Sequence, residues 1–219
     1  IIMASKDLVL TVKLLESDKF IQTKIFLAMA RELRKIFDRS KGRIQKALRK
    51  FVDDIMIIQP EIQELDRGIL QGAFGLRRGT EARVVEDIIR SISNSVYVEI
   101  KPVMPVRGKD LKGGMSIYIQ PSDFSNLFSL SSGIVKTEKL DHLPWLRWLL
   151  TEGDRVLIGD AEVRYKKGTG RSGLAAMSKG TGVFRVPPSY SGTEDNNFIT
   201  RAFANSEGRL IHLIQQNLR

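Results

Sequence analysis

Residue types able to do covalent or metal chemistry are few and scattered in this chain. Histidine occurs only at His142 and His212, and cysteine is absent. A histidine metal cluster or a Ser/His/Asp triad would need both imidazoles in one place, and they share no motif. Without cysteine there is neither a disulfide framework nor a thiolate metal site, so a reducing compartment fits. The run Gly168-Thr169-Gly170-Arg171-Ser172-Gly173 looks superficially like a phosphate cradle. It lacks the G-x-x-x-x-G-K-[ST] spacing and no clear strand-to-helix junction carries it, so it reads better as a flexible assembly loop. The carboxylate pairs Asp53-Asp54 and Glu194-Asp195 fall at a helix end and a cap, where structure alone accounts for them. The sequence therefore predicts no enzyme, no cofactor, and no catalytic or metal residues.

The remaining chemistry is charge. The chain carries a formal +10 with a pI near 9.9, compatible with nucleic acid, an anionic membrane or an acidic protein surface as partner. Between Lys24 and Lys50 there are ten Lys or Arg against Glu32 and Asp38, a local balance of +8. A second basic stretch, Val163 to Thr193, has no acid and adds Arg164, Lys166, Lys167, Arg171, Lys179 and Arg185. No apolar run approaches the roughly 20 residues of a membrane span, and no secretory leader is evident. The expectation is a soluble, untargeted chain, with 42% hydrophobic residues over 219 positions enough for a real core in one elaborated domain.

These charges must be positioned by recognisable elements. From Phe20 to Ile58, apolar residues at Ile21, Ile25, Ala28, Met29, Leu33, Ile36, Phe37, Ile44, Ala47, Leu48, Phe51, Ile55 and Ile58 keep a helical period without a proline. One continuous helix of that length would reach on the order of 60 Å, more than a compact domain of this size spans, so part of it should lean on a neighbour. Leu8 to Leu14 alternates like a strand. Pro60 stops the long helix, Glu61 to Leu70 reads as a short one, and Thr80 is placed to cap Glu81 to Ser93. Val96 to Ile100 and Met115 to Gln120 read as paired strands around a long loop or hairpin, and Ser122 as the cap of a turn of helix over 123–130.

Leu143 to Leu150 reads as a helix whose Trp145 and Trp148 are either core residues or interface anchors. Arg155 to Tyr165 reads as a strand or a hairpin around Gly159-Asp160. The basic glycine-rich segment 166–181 is expected to be a flexible loop, with strand character resuming at Val183 to Val186. Asp195 or Asn196 should cap a final helix to about Leu218 that buries Phe198, Ile199, Ala202, Phe203, Leu210, Leu213, Ile214 and Leu218, with Gly208 a weak point. The fold class expected is α+β: a long amino-terminal helix on a small antiparallel sheet, with a carboxy-terminal helix and extended loops.

The order of elements carries a resemblance. A long basic helix precedes Arg67-Gly68-Ile69-Leu70, then strands, a basic glycine loop, Phe184-Arg185-Val186-Pro187-Pro188, and Asn197-Phe198-Ile199-Thr200-Arg201-Ala202-Phe203 leading the terminal helix. This pattern resembles the tail-completion or neck proteins of tailed bacteriophages, in which a short Pro-Phe-x-x-x-Ala-like passage introduces the last helix. Phe198, Arg201 and Ala202 match that passage, while 170–173 and 145–153 occupy the place of the glycine turn before it. Residues 101–143 form an insertion relative to that pattern.

The resemblance implies a structural virion protein: a ring subunit, hexameric or dodecameric, joining the DNA-filled head and portal to the tail and lining or sealing the DNA channel. Its implied partners are copies of itself, portal or adaptor proteins, tail terminator or tube proteins, and nonspecifically held packaged DNA, with no membrane. The implied location is the virion neck, and the host cytoplasm during assembly. Lys166, Lys167, Arg171 and Lys179 are the DNA-channel candidates. Ile44, Phe51, Trp145, Trp148, Phe184, Arg185, Phe198 and Arg201 are the subunit-interface candidates. Two alternatives stand beside this reading, a tail-tube terminator at the same joint and a stand-alone basic nucleic-acid-binding protein using the 24–50 helix.

Overall fold

The structure, a computed structural model, describes residues 17–106, 110–136 and 142–218; the strand expected at Leu8 to Leu14 lies outside them. Helix α1, Asp18–Ile57, is unbroken over 40 residues. It ends where Gln59 takes an extended conformation (φ −68°, ψ 136°) ahead of Pro60, which opens α2, Pro60–Arg67. The proline ring excludes helical geometry from the residue before it, and its missing amide hydrogen costs nothing at a helix start. Gly68 separates α2 from α3, Ile69–Ala73. A side chain there is impossible without rearrangement, since a Cβ would fall 1.8 Å from Glu64 Oε2, the atom that accepts from the Ile69 amide at 2.6 Å.

Helix α4, Glu81–Asn94, follows. Thr80 occupies its cap position, but its hydroxyl donates backwards to the Arg77 carbonyl at 2.6 Å, so α4 begins without a side-chain cap. Strands β1, Tyr97–Val106, and β2, Asp110–Tyr118, form a two-stranded antiparallel ribbon. The region expected as a long loop is thus mostly strand: Pro102 lies within β1, and Gly113, at φ +114°, lets β2 pass where a Cβ would meet the Pro102 carbonyl oxygen at 2.2 Å. Helix α5 is shorter than expected, Ser125–Phe128. Its start is set by Asp123, whose Oδ1 accepts from the Ser125 amide at 3.0 Å, and by Phe124 at φ 52°, not by Ser122.

A 3-10 turn, Ser131–Gly133, leads towards α6, Trp145–Thr151, which stops before Gly153 at φ +56°. Strands β3, Ile158–Tyr165, and β4, Ala175–Phe184, make a second antiparallel ribbon, with a bulge between Gly159 and Ala161 where Asp160 takes φ 52°. Helix α7, Phe198–Ala204, is capped by Asn197, not by Asp195 or Asn196. The Asn197 Oδ1 accepts from the Ile199 and Thr200 amides at 3.1 and 3.2 Å, and the Asn197 amide donates to Thr200 Oγ1 at 2.9 Å, a reciprocal capping box. The single final helix expected is interrupted by a turn at 205–206, ahead of Gly208, and α8, Glu207–Leu218, buries none of its residues; Leu210, Leu213, Ile214 and Leu218 are half-buried.

The fold is therefore α+β, with a long first helix, two small ribbons in place of one sheet, and a terminal helix. Two compact units arise, Ile1–Arg39 with Ile100–Met115, and Ser40–Glu99 with Ser116–Arg219. The second unit holds the larger core. Ile44, Leu48, Phe51, Ile55 and Met56 of α1, Ile62 and Leu65 of α2, Ile88 and Ile92 of α4, Leu146 and Leu149 of α6, and Phe198 and Ile199 of α7 are all buried. Phe74, Trp145, Trp148 and Phe184 pack as an aromatic cluster, with centroid separations of 5.1 Å for Phe74–Trp145, 6.4 Å for Phe74–Phe184 and 6.2 Å for Trp148–Phe184, distances at which rings attract beyond their buried area.

Candidate nucleic-acid and assembly surfaces

The glycine-rich segment is a built turn and strand. From Ala175 it belongs to β4, where Lys179 pairs in register with Ala161. Ahead of that, the Lys166 amide donates to the Leu174 carbonyl at 2.9 Å and the Gly168 amide to the Gly173 carbonyl at 2.8 Å. The buried Ser172 hydroxyl oxygen accepts from the Leu174 and Ala175 amides at 3.1 and 3.3 Å. The expected loop over 166–181 is replaced by this arrangement because glycines at positive φ fold it back on β4: at Gly170, φ +67°, a Cβ would lie 1.9 Å from the Ala175 carbonyl oxygen. Gly170→Ala should accordingly destabilise the chain by about 1–3 kcal/mol, read by urea unfolding, whereas an unconstrained loop would leave the midpoint unchanged.

The four DNA-channel candidates divide. Lys166, Lys167 and Lys179 are exposed on the β3–β4 ribbon, where Arg164 is partly neutralised by Glu162 at 3.2 Å. Arg171 leaves them. The Arg78 amide donates to its carbonyl at 3.1 Å, tying the turn to the segment before α4, and its guanidinium donates to the Lys136 carbonyl. There it lines a cleft of about 600 Å³ together with Arg77, Arg83 and Lys136. Sequence reading passed over Arg77 and Arg83 because they sit in a short glycine-punctuated loop and on a helix whose apolar face drew attention.

Most interface candidates prove to be core. Ile44 (0% exposed), Phe51 (5%), Trp145 (1%), Phe184 (5%) and Phe198 (1%) have no surface to offer a neighbour, and Trp148 is half-buried against Phe184. The correction has a simple cause: aromatic and aliphatic residues enriched at interfaces are the same types that fill cores. Arg201 is an edge anchor inside the chain. Its guanidinium pairs with the Glu61 carboxylate, whose side chain is only 4% exposed, and donates to Asn196 Oδ1 at 3.0 Å. Arg185 alone of this set is fully on the surface.

An exposed apolar surface lies on the first part of α1. Its inner line, Phe26, Ala30, Leu33, Phe37 and Ser40, continues into Ile44 and Leu48 at steps of three and four. Ile25, Met29 and Ile36, which share another stripe, are 52%, 47% and 42% exposed, and Phe20 and Leu27 are exposed at 44% and 47%. Sequence periodicity assigned Ile25, Met29 and Ile36 to the packed face; apolar residues cover enough of the helix circumference that one face could not be distinguished from two.

Shifted proton affinities mark local contacts. The Ser125 amide and hydroxyl hold the Asp123 carboxyl below its ordinary range, and Lys35 does the same for Glu32. Burial, with the carboxylates of Glu64 and Glu61, pushes the Tyr190 phenol upward. Among the described residues no group of three His, Cys, Asp or Glu could hold a metal ion, and no helix is long and apolar enough to cross a membrane. His142 is exposed, and His212 Nε2 lies 2.8 Å from Gln216 Nε2. Comparison with protein-family models, curated proteins and solved structures finds no match for this chain.

Proposed function

We propose that this chain is a structural assembly subunit, and that its assembly is the ring at the head-to-tail joint of a tailed bacteriophage. The observation that carries this reading is the exposed stripe Ile25–Met29–Ile36 on a helix with a surplus of cations. Isolated exposed apolar residues are ordinary, but a stripe three turns long on one helix face is a surface for another protein. The β3–β4 ribbon offers Lys166, Lys167 and Lys179 as a separate cationic surface, suited to sequence-blind attraction of packaged DNA. The phage setting comes from the order of elements around α1 and the Asn197-capped helix α7.

A virion image that traces helices tests the reading: α1 of each copy should pack on the next copy in a ring at the joint, and a chain found elsewhere, or as a single copy, overturns it. Changing Lys166, Lys167 and Lys179 together to Gln should leave assembly intact and weaken duplex DNA binding. The slope of log affinity against log salt should fall by about 0.9 for each lost phosphate contact. An unchanged slope would remove the ribbon from the DNA surface.

A further inference from the structure

The cleft that Arg171 enters has a construction of its own. Arg77, Arg83, Lys136 and Arg171 line it, with Asp87 the acid among its lining residues. None of these three arginines is ion-paired among the described residues. Guanidinium groups that share one cleft repel one another, and their rigid forks match the oxygens of a phosphate two at a time. Gly75, whose φ of +60° favours glycine, lies beside them, with Arg171 Nη2 3.6 Å from where a Cβ would stand.

Two further features add donors at the same place. The start of α4, a helix of 14 residues, reaches the cleft through Thr80 and Arg83, and it lacks a side-chain cap because the Thr80 hydroxyl is engaged with the Arg77 carbonyl. Its first amides carry the positive end of the helix dipole. Ser131, which is exposed, also lines the cleft and adds a hydroxyl to its wall.

We infer that this cleft is a binding site for a phosphate group, held by Arg77, Arg83 and Arg171 with Lys136 and the first turn of α4. The site does not depend on ring assembly or on the lysines of the β3–β4 ribbon. The phosphate comes either from a nucleic-acid backbone or from a free phosphate monoester, and the same oxygens serve in both.

The test is thermal unfolding of the full chain in sodium phosphate against sodium chloride at matched ionic strength. Saturable stabilisation is expected, roughly 3–6 °C at about tenfold above the dissociation constant. Arg83→Gln combined with Arg171→Gln should weaken phosphate at least about tenfold. Arg77→Gln, which breaks no hydrogen bond or ion pair seen within the chain, should weaken it in the same direction should the double variant fold poorly. Lys101→Gln with Lys112→Gln, which removes two exposed charges from the β1–β2 ribbon, should leave the response unchanged. Displacement of phosphate by a single-stranded oligonucleotide lacking terminal phosphates supports the site and identifies the backbone as its source. Displacement only by phosphate monoesters supports it with a free phosphate as ligand. No saturable shift, equal response of the Arg77 variant and parent, or equally good displacement by polyglutamate overturns it.

Discussion

Arg201→Ala is expected to lower the unfolding free energy by about 3–5 kcal/mol, a large fraction of the roughly 5–15 kcal/mol available to a domain. The loss comes mainly from what is left behind. The Glu61 carboxylate, with 4% of its side chain exposed, would remain in the interior without its cation, and an uncompensated buried charge costs far more than a surface pair contributes. Arg201→Met combined with Glu61→Gln removes both charges and should recover most of the loss. Urea unfolding of the single and double variants measures the difference. A single variant within 1 kcal/mol of the parent, by about the margin of an exposed pair, would show that the pair is not embedded as described.

Trp145→Ala should cost a similar amount, about 3–5 kcal/mol. The indole is 1% exposed, stacks at a tilt against Phe74 with centroids 5.1 Å apart, and donates from Nε1 to the Ser132 carbonyl at 3.0 Å. Removing it leaves a cavity beside Phe74 and an acceptor that has lost its donor. Trp145→Phe should fall between the two, since it keeps ring packing and loses the hydrogen bond. Chemical unfolding and near-ultraviolet circular dichroism check the series. If Trp145→Ala is no less stable than Trp145→Phe, the cavity contributes nothing and the aromatic cluster is not the core of this unit.

Much of the fold was legible because the strongest local signals were uninterrupted. About eleven turns of periodicity are hard to read as anything but helix, and α1 is indeed one helix of 40 residues; the stop at Pro60 followed from the ring alone. The ends that depend on a single hydroxyl were less legible. Thr80 and Ser122 had the right residue type for caps, but Thr80 turns to Arg77, and Asp123 takes the role next to Phe124. The cap of α7 moved to Asn197 because only there do the side chain and Thr200 close a reciprocal pair.

The sites were less legible than the fold. Composition could say that 166–181 is rich in glycine and cation, but not that Gly170 folds it against Ala175 or that the Arg171 carbonyl takes a hydrogen bond from Arg78. Those are contacts between elements far apart in sequence. The same holds for Glu61 and Arg201, 140 positions apart. Apolar residue type also cannot separate a core from an interface, which is why Ile44 and Phe198 were read as surfaces while Ile25 and Met29 were read as packed.

The most direct measurement of self-assembly through α1 is native mass spectrometry of the chain beside the variant carrying Ile25→Ser, Met29→Ser and Ile36→Ser. The predicted result is a closed oligomer of one discrete size for the parent, and for the variant a monomer with unchanged helical content by circular dichroism. A parent that stays monomeric at every concentration while binding duplex DNA tightly, or a variant that assembles as the parent does, would contradict it.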